Sequence, residues 1–310
     1  VSQEERSRKR RLAKVIGLVG LVAFAVTGCS TDEVLRFGWP VGVTEQADDM
    51  RRLWTGSVIA SLVVGVITWV LILWPVAFHR KKSDKLPRQT QYNNALELIY
   101  TGVPVIIVVV LFVFTASTEN KVLAETDKPD VKVEALAFQW NWDFSYKEVG
   151  GSKPTAPGGG EIHTVGSSRE IPLLVLPAGR TIEYQLRSRD VIHSFYVPEM
   201  HFKRDVFPYP EKNNQDNTFQ NKIARPGSFV GRCAELCGSY HAFMNFEVRA
   251  LPGEQFDQFL RLRGQVNPST GVAYSTSEAL TQMNCGQLCA PYATTTSPPN
   301  TDRTARTASG

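Results

Sequence analysis

Residues 54–78 form an uncharged apolar run of 25 residues, and residues 98–118 form another of 21. At 1.5 Å of rise per residue, either run is long enough as a helix to cross the ~30 Å hydrocarbon layer of a bilayer. Pro75 and Pro104 fall inside the runs, and membrane helices accommodate proline when neighbouring groups re-satisfy the freed backbone. From about residue 121 the pattern changes. Val131, Val133 and Ala135 alternate with polar or charged neighbours, the period of a half-buried strand. The stretch Phe138-Gln139-Trp140-Asn141-Trp142 follows. Further strand-like runs cover residues 171–176, 181–186, 193–197, 228–233 and 243–250, with Pro/Gly turns between them, and together they predict a β-sandwich. Residues 150–160 (GGSKPTAPGGG) predict a flexible surface loop between strands. Phe256, Phe259, Leu260 and Leu262 are spaced for a short amphipathic helix over residues 254–263. Residues 294–310 are polar and predicted to be extended, and the chain has no internal repeat.

The charge pattern adds a topology. Formal net charge is +4, and residues 1–28, with six basic side chains (Arg6, Arg8, Lys9, Arg10, Arg11, Lys14) against Glu4 and Glu5, hold all of it. The remainder is neutral, which argues against nucleic acid as a partner. The basic start leads into an apolar run, residues 15–26, too short to span a bilayer. Val26-Thr27-Gly28-Cys29 then resembles a bacterial lipoprotein cleavage box, so residues 1–28 are expected to be a signal peptide and Cys29 a lipidated mature N-terminus. The loop between the spans carries Arg80, Lys81, Lys82, Lys85 and Arg88 against Asp84. The positive-inside rule puts it in the cytoplasm. Both mature termini and the sandwich are therefore expected outside a bacterial cell membrane. The expected segments are an external N-terminal piece (residues 29–52), a transmembrane helix hairpin (53–120), the sandwich domain (121–253), and a C-terminal helix and tail (254–310).

Of the five cysteines, the four other than Cys29 form two C-x3-C pairs, either of which an exported chain could oxidise. Their neighbours distinguish them. Cys233-x3-Cys237-x3-His241-x2-Met244 combines thiols, an imidazole and a thioether, a soft set that suits copper better than magnesium or calcium. A terminal Met is foreign to structural zinc, which favours four Cys or His ligands. A mononuclear blue-copper site uses one cysteine; two in such a loop can bridge two copper ions. A second histidine is needed, and His193, at the start of a strand-like run, fits better than His79 at a membrane edge or His163 and His201 in expected loops. Cys285 and Cys289 have only Met283 as a soft neighbour, so a disulfide is the expected reading there.

The segments DVIHSFYVPE and CAELCGSYHAFM, with the preceding helix pair, resemble subunit II of the cytochrome c oxidases over roughly residues 40–255. The resemblance implies a membrane-anchored all-β protein: two helices, then a cupredoxin-like Greek-key β-sandwich with a dinuclear copper (CuA) centre. By the family pattern, Cys233 and Cys237 bridge the coppers, His193 and His241 each bind one, and Met244 and the Glu235 backbone carbonyl complete the set. The Glu235 carboxylate resembles the family's link to a magnesium ion shared with subunit I. Trp140 matches the aromatic residue that admits electrons from cytochrome c. Glu97, in Glu97-x2-Tyr100-Thr101, resembles an acid near the mouth of a proton path, with Tyr100 where the family has Trp. Asp190 is expected in the polar network near the metals.

The implied activity is that of an aa3-type oxidase subunit, not catalytic alone. It passes electrons to haem a and the haem-CuB centre of subunit I for proton-coupled reduction of oxygen to water. Subunits I and III and membrane lipid are the implied partners. The lipoprotein box and long tail resemble actinobacterial forms, in which the cytochrome c donor is often membrane-bound in a supercomplex with the bc complex. The tail is expected to pack on partner subunits. A quinol oxidase subunit would lack the copper motif, and five histidines cannot supply the His-rich propeller of a nitrous oxide reductase. A copper-carrying assembly lipoprotein is the remaining alternative; two spans and an entry-type Trp pair argue against it.

Overall fold

The computed structural model describes residues 30–81, 83–86, 89–167, 170–212 and 214–295. The expected signal peptide, Cys29 and most of the last stretch lie outside these residues. The chain divides into two compact units, one ending at Trp39 and resuming over Trp54–Asp84, the other made of Pro40–Leu53 and the chain from Lys85 onward.

In the first unit a short helix α1 (Thr31–Leu35) is capped by the Ser30 hydroxyl, which accepts from the Glu33 N–H at 3.1 Å. The long helix α2 (Glu45–Phe78) enters this unit at Trp54. The Trp54 indole stacks on Trp39 with ring centroids 5.2 Å apart and donates to the Arg36 carbonyl at 3.0 Å. In the second unit α3 (Asn94–Val122) starts with Asn93, whose side chain accepts from the Leu96 N–H. Both helices have the length and composition to cross a membrane, and no residue of either apolar window is buried. A helix apolar all round and unburied is suited to lipid and poorly suited to water.

Among the described residues, ten strands form two five-stranded sheets. One has the order β3-β2-β1-β5-β8, built from β1 (Val131–Phe138), β2 (Asn141–Val149), β3 (His163–Val165), β5 (Thr181–Ser188) and β8 (Thr218–Lys222). The other has the order β4-β10-β9-β6-β7, from β4 (Leu173–Pro177), β6 (His193–Val197), β7 (Phe202–Val206), β9 (Gly227–Cys233) and β10 (Asn245–Leu251). Pairing is antiparallel except β1 with β5 and β10 with β4. The alternation expected for β1 holds: Val131, Val133, Ala135 and Ala137 are buried and their neighbours half-exposed. Trp142, fully buried, is the hub of the core, with Phe144, Phe195 and Phe246 rings 6.1, 6.1 and 5.1 Å away.

Strand β10 is buried on both faces. Phe246, Val248 and Ala250 belong to the core, and Gly231 on β9 makes room for Phe246: a Cβ there would lie 2.1 Å from the Phe246 ring. The alternate residues Glu247 and Arg249 are also fully buried, because the C-terminal segment covers them. That segment contains α4 (Gly253–Arg263), one residue longer than expected, and α5 (Thr276–Met283), which starts with a capping box between Ser275 and Glu278. Cys285 and Cys289 are joined by a disulfide around the turn Gly286–Cys289. Arg249 donates to the carbonyls of Leu288 and Ala290 at 2.9 Å and Tyr292 at 3.2 Å. Glu247 accepts from Arg249 Nε at 2.8 Å and from the N–H groups of Thr294 and Thr295, each at 2.7 Å. As far as Thr295, then, the tail lies on β10 of its own domain.

Candidate metal centre

Strand pairing brings together residues forty positions apart. β6 and β9 are antiparallel neighbours with Phe195 opposite Cys233, which sets His193 beside the end of β9. The chain then loops through residues 234–244 and returns as β10, with the Cys233 N–H donating to the Met244 carbonyl at 3.1 Å. The return includes a turn, His241–Phe243, which His241 opens.

Cys233 and Cys237 are free, buried thiols with sulfurs 3.8 Å apart. His193 Nδ1 lies 3.9 Å from the Cys233 sulfur, and the Glu235 carbonyl 3.2 Å from it. On the other side, His241 Nδ1 is 3.6 Å and Met244 Sδ 3.8 Å from the Cys237 sulfur. The side-chain atoms of His193, Cys233 and Cys237 lie within 4.8 Å of one another. Four donors, His193 Nδ1, the Glu235 carbonyl, His241 Nδ1 and Met244 Sδ, therefore surround one buried pair of sulfurs, and the set of six fits soft metal ions.

The surroundings prepare these donors. His193 is fully buried, and Nε2 faces Asp190 Oδ1 at 2.8 Å. A proton on Nε2 leaves the Nδ1 lone pair directed at the thiols, the usual arrangement for a metal-binding imidazole. Burial lowers the His193 pKa and outweighs the opposing pull of Asp190, which favours the neutral ring. Burial raises the pKa of Asp190 too, but the backbone N–H of Gln139 and the His193 ring outweigh it and hold the carboxyl below its ordinary value. Burial, then the adjacent Cys233 thiol, pushes the Cys237 thiol up to about 12. A metal at this site must therefore displace thiol protons.

Trp140 is half-buried beside the loop. Its indole N–H donates to the Cys237 carbonyl at 3.0 Å, and its ring meets Tyr240 edge-on at 5.0 Å. Trp142 belongs to the core and donates to the Met244 carbonyl at 3.3 Å. The remaining histidines are elsewhere. His79 follows α2, and His163, expected in a loop, opens β3 and pairs with Asp143 at 3.2 Å. His201 is buried in a turn with both ring nitrogens at backbone carbonyls of Pro40 and Ala47. Glu97 is in the first turn of α3 and accepts from the Asn93 N–H at 3.2 Å. One residue with a clear place in this arrangement was not singled out from the sequence. Gln139 donates to the Cys237 carbonyl at 2.8 Å, and its only sequence signal was a polar residue inside an aromatic stretch.

Two apolar helices of spanning length, followed by a cupredoxin-like sandwich with paired free thiols at its late loop, define a membrane-anchored protein with a metal-binding β-domain. Residues 131–251 match the family described as cytochrome c oxidase subunit II, periplasmic domain, and residues 37–117 match the transmembrane domain of the same subunit. A probable cytochrome c oxidase subunit 2 of Nocardia farcinica is 45% identical over 98% of this chain and 92% of its own length. Cytochrome c oxidase subunit 2 of Mycobacterium tuberculosis is 41% identical over 96% and 91%. The periplasmic domain of subunit II of the Bradyrhizobium japonicum cytochrome oxidase is 27% identical over 44% of this chain and 95% of that one, with a TM-score of 0.35. The chain belongs to the cytochrome c oxidase subunit II family. Membership implies a copper centre, and His193, Cys233 and Cys237 form a cluster that could hold it.

Proposed function

We propose that this chain is the electron-entry subunit of an aa3-type cytochrome c oxidase and binds two copper ions through Cys233, Cys237, His193, His241, Met244 and the Glu235 carbonyl. The observation that carries the reading is the convergence of His193, His241, Met244 and the Glu235 carbonyl on one buried pair of free thiols. When bound, two copper ions held by these residues would supply a one-electron carrier.

The chain's own residues make that carrier usable. The sheet ends fix Cys233 and Met244, and Asp190 holds the His193 ring, so the donors have little freedom to rearrange. Trp140 is half-buried, and its hydrogen bond to the Cys237 carbonyl connects its ring to a ligand residue. We assign Trp140 to electron entry from cytochrome c. We further assign the Glu235 carboxylate to a magnesium ion shared with subunit I, and Glu97 to the mouth of a proton path in that subunit. Haem a and a haem-CuB centre in that subunit would be the electron acceptors. Subunit III, and a cytochrome c held at the membrane in a bc supercomplex, complete the proposed partners.

The basic loop between the helices supports an orientation with the metal domain and both mature termini outside the cell membrane, and Cys29 as the lipid anchor. Low-temperature EPR on the oxidase purified from membranes tests the centre. A mixed-valence signal from two equivalent coppers is expected, and a mononuclear copper signal would overturn the assignment.

A further inference from the structure

The Cys237 carbonyl accepts two hydrogen bonds from consecutive residues: Gln139 Nε2 at 2.8 Å and Trp140 Nε1 at 3.0 Å. Gln139 also uses its backbone, whose N–H donates to Asp190 Oδ2 at 2.8 Å. The other oxygen of the same carboxylate holds His193 Nε2 at 2.8 Å. One residue on the β1–β2 connection therefore touches both sides of the donor cluster. Its side chain reaches the residue that carries one sulfur, and its backbone reaches the acid that orients the histidine beside the other sulfur.

The recess that admits these donors depends on Gly238. Its φ is +117°, a backbone region that side chains rarely adopt. A Cβ there would meet Trp140 Cζ2 at 3.1 Å, Trp140 Nε1 at 3.2 Å and Gln139 Nε2 at 3.3 Å. Any side chain at this position would push both donors away from the carbonyl.

We propose that Gln139 is a positioning residue for the metal centre: it ties the Cys237 loop to Asp190, and through Asp190 to His193, so that the two flanks of the donor set keep one spacing. This rests on the dinuclear copper reading above. Gln139 is itself exposed, and its contribution lies in these two contacts rather than in core packing.

Purified oxidase carrying Gln139→Met, which keeps length without an N–H donor, and Gln139→Glu, which sets a carboxylate against the carbonyl, provides the test. The readouts are the copper hyperfine pattern in EPR and the rate of copper loss to a chelator. Both variants should show an altered hyperfine pattern and lose copper roughly fivefold faster, the factor that one net hydrogen bond of ordinary strength supplies. Gly238→Ala, which fills the recess from the opposite side, should act in the same direction and serves if the Gln139 variants fail to assemble. Wild-type spectra and wild-type copper loss in assembled variants would overturn the proposal. Absence of a mixed-valence signal in the wild-type oxidase would instead overturn the reading on which the proposal rests.

Discussion

Replacing Arg249 with Met removes one member of an ion pair in which both side chains are fully buried. Met keeps much of the apolar length of the side chain, so the change is chiefly in charge and hydrogen bonding. Glu247 loses its bonds to the guanidinium and keeps the Thr294 and Thr295 N–H groups and the Thr295 hydroxyl, each at 2.7 Å. The carbonyls of Leu288, Ala290 and Tyr292 lose their donor. They can regain water if the tail lifts, so the stranded carboxylate sets the main cost. Removing one partner of a buried pair costs about 3–5 kcal/mol. At roughly 2–4 °C per kcal/mol for a domain of this size, the unfolding midpoint should fall by about 6–20 °C. Thermal unfolding of the purified chain in detergent measures this, and limited proteolysis should show residues 288–295 becoming cleavable. The double variant Glu247→Leu/Arg249→Met carries no stranded charge and should recover most of the loss. A single variant within about 1 kcal/mol of wild type, or a double variant less stable than the single, would refute the argument.

Trp140→Gln should slow electron entry from reduced cytochrome c in stopped-flow while the mixed-valence signal of bound copper is retained, its hyperfine pattern shifted by loss of the indole bond to the Cys237 carbonyl; unchanged entry would sink that assignment. Copper uptake should weaken as pH falls, because the Cys237 thiol, pushed up to about 12, keeps its proton until the metal displaces it. Displacing the Cys237 proton alone should lower apparent affinity by about tenfold per pH unit near neutrality, readable by chelator competition. Hydrogen bonds from Lys147, then Lys153, lower the Glu161 pKa from 4.5 to about 2. A depressed folded-state pKa contributes stability that is present above 4.5 and lost as pH falls through about 2, so Glu161→Gln should flatten the acid limb of the stability profile over that window. Changing Cys285 and Cys289 to Ser together should leave the copper signal unaltered and make residues 286–295 more sensitive to protease; equal resistance would show that the disulfide does not secure the tail on β10.

Local pattern was sufficient for several features. Charge-free length marks the two apolar helices, because no other solvent tolerates so long an uncharged surface. Alternation marks β1 and β5, because each has one face in the core. The donor types of the copper motif lie within residues 233–244, so their chemistry was visible without a fold. His193 stands out by its place at a strand start, and the pairing of β6 with β9 is what sets it beside Cys233. Other elements gave no such signal. β7 (FKRDV) and β8 (TFQNK) are too polar to read as strands, and their place comes from pairing at sheet edges. Glu247 and Arg249 occupy positions that alternation assigns to solvent, yet they are buried because a segment forty residues later covers them. Gln139 lies in an aromatic stretch whose pattern gives no hint that its amide reaches Cys237. Sequence alone determined which groups could bind metal and which helices could enter lipid, since both follow from composition within a short window. Only the tertiary structure decided which of those groups share a site and what holds them there, because sheet closure and the fold of the tail bring together residues that have no local relation.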